Sequence, residues 1–135
     1  MNEIISTNRC FMCGKENPIG LKMEIKYENG EARSEIFLDK NYEGYNGIIH
    51  GGIISAILDE IAVYAALSIN KICLTYEISV RFKKPVHSGK KYYAFGKVIE
   101  EKGRIVICES EIKDEDNNIC ASSSVKLFNY KGAST

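Results

Sequence analysis

Between Gly51 and Ile69 the chain carries two charges, the adjacent carboxylates Asp59 and Glu60, among apolar, small and hydroxyl-bearing residues. At 100° per residue, Ile53, Ile54, Ile57, Leu58, Ile61, Tyr64 and Ala65 form one broad stripe. The opposite side holds Gly52, Ser55, Ala56, Asp59, Ala62, Val63 and Ala66, where a solvated helix would carry lysine, glutamate or glutamine. A helix without a polar face must be enclosed on all sides. Its large residues are expected to lie in the concavity of a sheet. Its small-residue side is expected to meet a partner chain, a ligand or both. The run is nearly long enough to span a bilayer, but the carboxylates at its centre make that costly and no basic flanks support it.

Turn signals divide the rest of the chain. Asn29-Gly30 separates the extended runs Leu21 to Tyr27 and Ala32 to Leu38, a strong hairpin signal. Leu74 to Phe82 reads as a strand that stops before Pro85, and Ser88-Gly89 forms the next turn. Lys102-Gly103 separates Tyr92 to Glu100 from Arg104 to Ile112, and Asp116-Asn117-Asn118 precedes the run Ile119 to Asn129. The order is strand, strand, helix, then four strands. That predicts an α+β fold of one antiparallel sheet and one long helix, in a single domain spanning residues 1–135.

Formal net charge is zero, from 18 basic and 18 acidic side chains. No broad basic field invites nucleic acid. An anionic ligand would have to be met by a local patch, and Arg81, Lys83, Lys84, Lys90 and Lys91 form one. The bland reading of that patch is a solvated edge whose charges discourage strand pairing. Met1 to Cys10 contains charge and no apolar run, so no signal peptide and a cytoplasmic location are expected. Five widely spaced cysteines do not describe a disulfide framework. Cys73, Cys108 and Cys120 sit in apolar runs and read as buried small hydrophobes. Cys10 and Cys13 would supply two of the four ligands a zinc site needs, with His87 or a second chain completing it. A structural N-terminal turn is the expected role for this pair, with redox activity as a further alternative, and no metal or other cofactor is expected.

The helix opens on His50-Gly51-Gly52. Backbone donors at a helix start are unpaired, and the dipole there favours negative charge. Asp59, further along an apolar helix, is poorly solvated, which suits a general base or nucleophile. Together the two features suggest a hydrolytic site. The bland alternative for Asp59 is a structural carboxylate bonded to Ser55 or to a partner chain. Glu60 lies about 100° away and reads as a solvent or subunit contact.

The segment Gly47-Ile48-Ile49-His50-Gly51-Gly52 with Asp59 nine residues after the histidine, the N-terminal Cys10-Phe11-Met12-Cys13-Gly14 followed by Asn17-Pro18-Ile19-Gly20-Leu21, and the run Thr75 to Val86 occur in that order. In this the chain, from about Cys10 to Phe128, resembles the hotdog-fold acyl-CoA thioesterases, closest to the phenylacetate-degradation type within the 4-hydroxybenzoyl-CoA thioesterase superfamily. The resemblance implies a sheet wrapped around a central helix, assembly into homodimers and often homotetramers, and hydrolysis of an acyl-CoA at the dimer interface. Carried over by position, the Gly51 N–H is the oxyanion donor, and His50 shapes the turn or assists the carbonyl. Asp59 of the neighbouring subunit is the base or nucleophile, and Thr75 helps to place the attacking water. Asn46, Gly47, Gly52, Tyr45, Arg81, Lys83 and Lys84 are the expected substrate contacts. One departure stands out: some members carry an amide six residues before the histidine to hold the nucleophilic water, and here that residue is Gly44, with Asn46 or Thr75 as its substitute.

Helix geometry supports a two-chain site on its own. Gly51 and Asp59 are separated by about 12 Å along one helix, so one thioester carbon cannot be within reach of both. Two helices antiparallel across a two-fold axis would bring one chain's N-terminus beside the other's carboxylate. Two other function classes fit the chain. One is a non-catalytic acyl-CoA binder, which Gly44 keeps open. The other is a hotdog hydratase or dehydratase, against which the histidine-to-carboxylate spacing argues.

Overall fold

The computed structural model describes residues 7–130; residues 1–6 and 131–135, and with them part of the Met1 to Cys10 reading, lie outside it. The elements in chain order are β1 (Lys26–Glu28), β2 (Glu31–Phe37), α1 (Gly51–Leu67), β3 (Cys73–Phe82), β4 (Lys91–Lys102), β5 (Ile105–Lys113) and β6 (Ile119–Asn129), with a 3₁₀ turn at Lys40–Tyr42 before α1. The six strands form one antiparallel sheet in the order β1-β2-β4-β5-β6-β3. The α+β arrangement expected from the turn signals is the one observed, with the sheet curved around a single long helix as in a hotdog fold.

Strict alternation along β2, with Ala32, Ser34 and Ile36 buried between exposed neighbours, gives the sheet one dry face. That face closes on α1, where Ile57, Leu58, Ile61, Ala62, Ala65 and Ala66 are fully buried. The approach is closest at Gly96 of β4, where a Cβ would stand 2.9 Å from the Ile61 carbonyl oxygen. The serines under the helix are paired, whereas the buried Asn129 Oδ1 at the end of β6 has no partner among the described residues. Ser110 Oγ donates to the Leu58 carbonyl at 2.9 Å and meets Ser123 Oγ at 2.5 Å.

Two expectations need correction. Only the end of the run Leu21 to Tyr27 is a strand, because Lys22 takes φ 55° and turns the chain. The N–H groups of Leu21 and Met23 then go to the carbonyls of Phe11 and Met12, which ties down the N-terminal arm instead. The sheet also wraps further than the helix pattern suggests. Ala62 and Ala66, on the small-residue side, pack on Cys73, Val106, Cys108, Val125 and Leu127 of the same chain. Of that side only the N-terminal half stays partly open, at Gly52, Ser55, Ala56 and Asp59, with Val63 beyond them.

Candidate active site

The turn before α1 is built by backbone bonds that leave one donor over. Ile48 N–H closes a turn on the Tyr45 carbonyl at 3.0 Å, with Gly47 at φ 79°, a conformation that suits a residue without Cβ. Ile49 N–H reaches the Val86 carbonyl at 2.8 Å and His50 N–H the Tyr42 carbonyl at 2.9 Å. Ser88 Oγ donates to Glu43 Oε2 at 2.5 Å. That hydroxyl and the Gly47 N–H hold the Glu43 carboxyl below its usual range. The loop from Glu43 to Ile49 is therefore pinned to the segment Val86 to Ser88.

His50 is the N-cap of α1, with φ −57° and ψ 135°, and its Nδ1 accepts the Gly52 N–H at 2.8 Å. An accepting Nδ1 leaves the proton of a neutral ring on Nε2. The ring thus holds the turn and presents a donor, not a base. Gly52 makes room for it, since a Cβ there would lie 3.1 Å from Nδ1. The N–H groups of Ile53 and Ile54 both bond the His50 carbonyl. Gly51 N–H, at the first helical position, donates no hydrogen bond among the described residues. The ring of Phe82 lies beside Gly51, 3.4 Å from where its Cβ would stand. Nothing in the sequence singled out Phe82.

Asp59 is half-buried, and its Oδ1 accepts the hydroxyl of Thr75, not that of Ser55. Ser55 Oγ donates instead to the Gly51 carbonyl at 2.9 Å. Burial pushes the Asp59 carboxyl above its usual range, and the Thr75 hydroxyl pulls in the opposite direction. Thr75 faces the helix because β3 is bulged. Its register against β6 shifts between Thr75 and Glu77, leaving Tyr76 as the extra residue. Before the bulge Cys73 and Thr75 point inward; after it Ile78, Val80 and Phe82 do. One inserted residue therefore turns both Thr75 toward Asp59 and Phe82 toward Gly51.

The remaining expected contacts do not converge on these groups. Tyr45 is 84% exposed and Asn46 is exposed beside it. Gly44 lies against the His50 ring, where a Cβ would be 3.4 Å from Cδ2. The basic patch is split. Arg81 and Lys83 line a cavity of about 950 Å³ on the outer side of the sheet, with Ser79, Phe95 and Lys97. Lys84, Lys90 and Lys91 line a smaller one, about 250 Å³, with His87 and Tyr92. After the bulge, alternation puts Arg81 on the face of β3 opposite Phe82. Among the described residues, ligand atoms able to converge on a metal are those of Cys10, Cys13 and Glu60, which include neither Asp59 nor His50. His87 is not among them; its Nδ1 lies 3.3 Å from the Gly47 carbonyl.

The arrangement offers an unpaired donor at a helix start and a raised carboxylate beside a hydroxyl. It can stabilise an oxyanion and activate water. Helix α1 holds the two groups apart, about 12 Å from Gly51 to Asp59 at its middle. Within one chain they do not form one site.

Comparison with known proteins gives the family and the fold. The profile of the family described as "Thioesterase superfamily" matches residues 46–121. The chain is 31% identical over 101 residues to a Saccharolobus solfataricus protein named "Putative esterase SSO2140", covering 73% of this chain and 71% of that one. Among solved structures it is similar to a hypothetical thioesterase of Streptococcus pneumoniae in complex with coenzyme A, with TM-score 0.78 and 17% identity, covering 84% of this chain and 88% of that one. That streptococcal protein has also been solved as two alanine variants, one replacing an aspartate and the other a threonine sixteen residues further on. The PaaI protein of the Escherichia coli phenylacetic acid degradation operon aligns with TM-score 0.76 and 18% identity, covering 80% of this chain and 83% of that one. At these identities the structural likeness is one of fold.

Proposed function

The chain belongs to the thioesterase superfamily, and on that premise we propose that it is a homodimeric acyl-CoA thioesterase whose site is shared between two chains. The observation that carries the reading is the pairing of an unused Gly51 N–H with a half-buried Asp59 held by Thr75. The thioester carbonyl points at the Gly51 N–H of one subunit, where the helix dipole and the hydrogen bond stabilise the oxyanion. Asp59 of the other subunit activates water, or attacks to form an anhydride that water then opens. Thr75 donates to Asp59 Oδ1 and its oxygen remains free to accept from the attacking water, the task for which Gly44 has no side chain. His50 Nε2–H is a second donor toward the substrate. The chemistry uses water and no cofactor.

Three observations support this reading. Asp59 and Thr75 stand sixteen residues apart, the same spacing as the substituted pair in the streptococcal thioesterase. That relative binds coenzyme A, which supports a CoA ester as substrate here. β3 is an edge strand with Leu74, Tyr76 and Phe82 exposed at 45%, 65% and 58%, an apolar border suited to a second copy of the chain. The phenylacetate-degradation type, a tetramer built from such dimers and a cytoplasmic location complete the proposal. Among the described residues no helix is long and apolar enough to cross a membrane.

The test is release of free thiol from short, medium, long and aromatic acyl-CoAs. Turnover on at least one class is expected. Ligand-induced stabilisation without turnover would instead indicate a binding protein, the reading that Gly44 keeps open. Loss of the conjugated absorbance of an enoyl-CoA would indicate a hydratase. Thr75→Val gives a second readout. Removing the hydroxyl takes away the hydrogen bond that lowers the Asp59 carboxyl, so its pKa rises further. Since the ionised form acts, the acidic limb of the pH–rate profile moves to higher pH, and activity falls more at pH 6 than at pH 8. An unmoved limb would separate Thr75 from Asp59 in the reaction.

A further inference from the structure

On the N-terminal arm, Cys10 and Cys13 fold back onto α1 at Glu60, beside the residue assigned to catalysis but outside its site. Cys10 Sγ lies 3.5 Å from Glu60 Oε2. The two sulfurs and the carboxylate oxygen all lie within 4.8 Å of one another. The sulfurs already receive donors. Cys13 N–H points at Cys10 Sγ at 3.4 Å, and the Tyr64 hydroxyl donates to Cys13 Sγ at 3.1 Å. Gly14 N–H closes the turn on the Cys10 carbonyl at 2.8 Å. Glu60, half-buried, has no lysine, arginine or histidine partner among the described residues. A carboxylate in that setting, faced by two thiols and a phenol, lacks a cation.

We propose that Cys10, Cys13 and Glu60 form a binding site for a soft divalent cation of the zinc type, with water in the fourth position and the Tyr64 hydroxyl bonded to one sulfur ligand. The spacing fits. A tetrahedral zinc ion with a thiolate at about 2.3 Å and a carboxylate oxygen at about 2.0 Å holds the two about 3.5 Å apart. The Cys10–Glu60 contact has that length before any ion enters. Two thiolates on the same ion would stand about 3.8 Å apart, inside the observed limit. Backbone and phenol donors aimed at the sulfurs are what metal-bound thiolates accept. Softness selects the ion: two sulfurs and one oxygen suit zinc and disfavour magnesium or calcium. Binding must displace protons, because the thiolate and not the thiol is the ligand form. Uptake is therefore tighter as the pH rises. The ion would clamp the N-terminal arm to the turn of α1 that follows Asp59, a structural role that does not depend on the hydrolysis proposed above.

The full-length reduced protein, stripped with a chelator, is given zinc or cobalt, desalted and assayed for bound metal and thermal stability. Wild type is expected to retain about one ion per chain, to melt at a higher temperature with it, and to show a sulfur-to-cobalt charge-transfer band. Cys13→Ser should lose the ion, Glu60→Gln should bind it at least about tenfold more weakly, and Asp59→Asn should keep it. The cobalt spectrum of wild type stands even if a cysteine variant misfolds. Wild-type protein that retains no ion and shows no charge-transfer band overturns the proposal. So does a reduced protein that forms a Cys10–Cys13 disulfide in air but takes up no metal. Retention that survives both Cys13→Ser and Glu60→Gln overturns it as well.

Discussion

Asp59→Asn is expected to lower kcat for acyl-CoA hydrolysis by about 10² to 10⁴-fold, the range for a lost general base, with little change in KM. It is also expected to make the protein more stable. The Asp59 carboxyl is held above its usual range, mainly by burial. The folded chain therefore binds this proton more tightly than the unfolded chain does. The stability it contributes is complete below the unfolded pKa and is lost as the pH rises through the folded pKa. At pH 7 the ionised group is a net cost to the fold. An asparagine escapes that cost and can still accept the Thr75 hydroxyl through Oδ1. The melting temperature should rise at pH 7, and the difference from wild type should fade toward low pH. Loss of activity with gain of stability is the signature of a group kept for chemistry. A variant both inactive and less stable would instead make Asp59 a structural carboxylate.

Gly51→Pro is expected to cost about 10² to 10³-fold in kcat, roughly 3 to 4 kcal/mol of transition-state stabilisation, as for loss of one oxyanion donor. Proline removes the N–H and little else at this position. It is well tolerated at the first residue of a helix, and the preceding His50 already has φ −57° and ψ 135°, the extended conformation that proline requires before it. Gly51→Ala is the control. It keeps the donor and adds a Cβ at 3.4 Å from the Phe82 ring, an ordinary contact. Alanine should retain most of the activity. Equal rates in the proline and alanine variants would show that the Gly51 N–H does not meet the transition state.

The helix and its surroundings were legible in the sequence because their signals are local. A run with two charges and a His-Gly-Gly start gave α1 nearly to the residue, and Asn29-Gly30 gave the first hairpin. β3 shows the opposite case. Leu74, Tyr76, Ile78, Val80 and Phe82 alternate without a fault, so the pattern predicts one apolar face and sends Thr75 outward. The bulge at Tyr76 breaks that register through pairing with β6, a long-range contact that alternation does not encode. The same limit applies to Glu60. Its neighbour in the chain is Asp59, yet its partners Cys10 and Cys13 come from an arm fifty residues away. The basic run Arg81 to Lys84 reads as one patch in sequence and falls on two sides of the structure, because side chains alternate and the strand ends there.

The central claim is that Gly51 and Asp59 act in one site only when they come from different chains. Mixing the two inactive variants measures this directly. Purified Asp59→Asn and Gly51→Pro proteins are dissociated together, reassociated and assayed against each variant alone. In a shared site, every mixed dimer holds one site with Gly51 N–H from one chain and Asp59 from the other, and one site lacking both. Random reassociation makes about half of the dimers mixed, so activity should recover to about one quarter of wild type. Activity that stays at the level of the separate variants, with mixed dimers shown to have formed, would contradict the account and confine the reaction to a single chain.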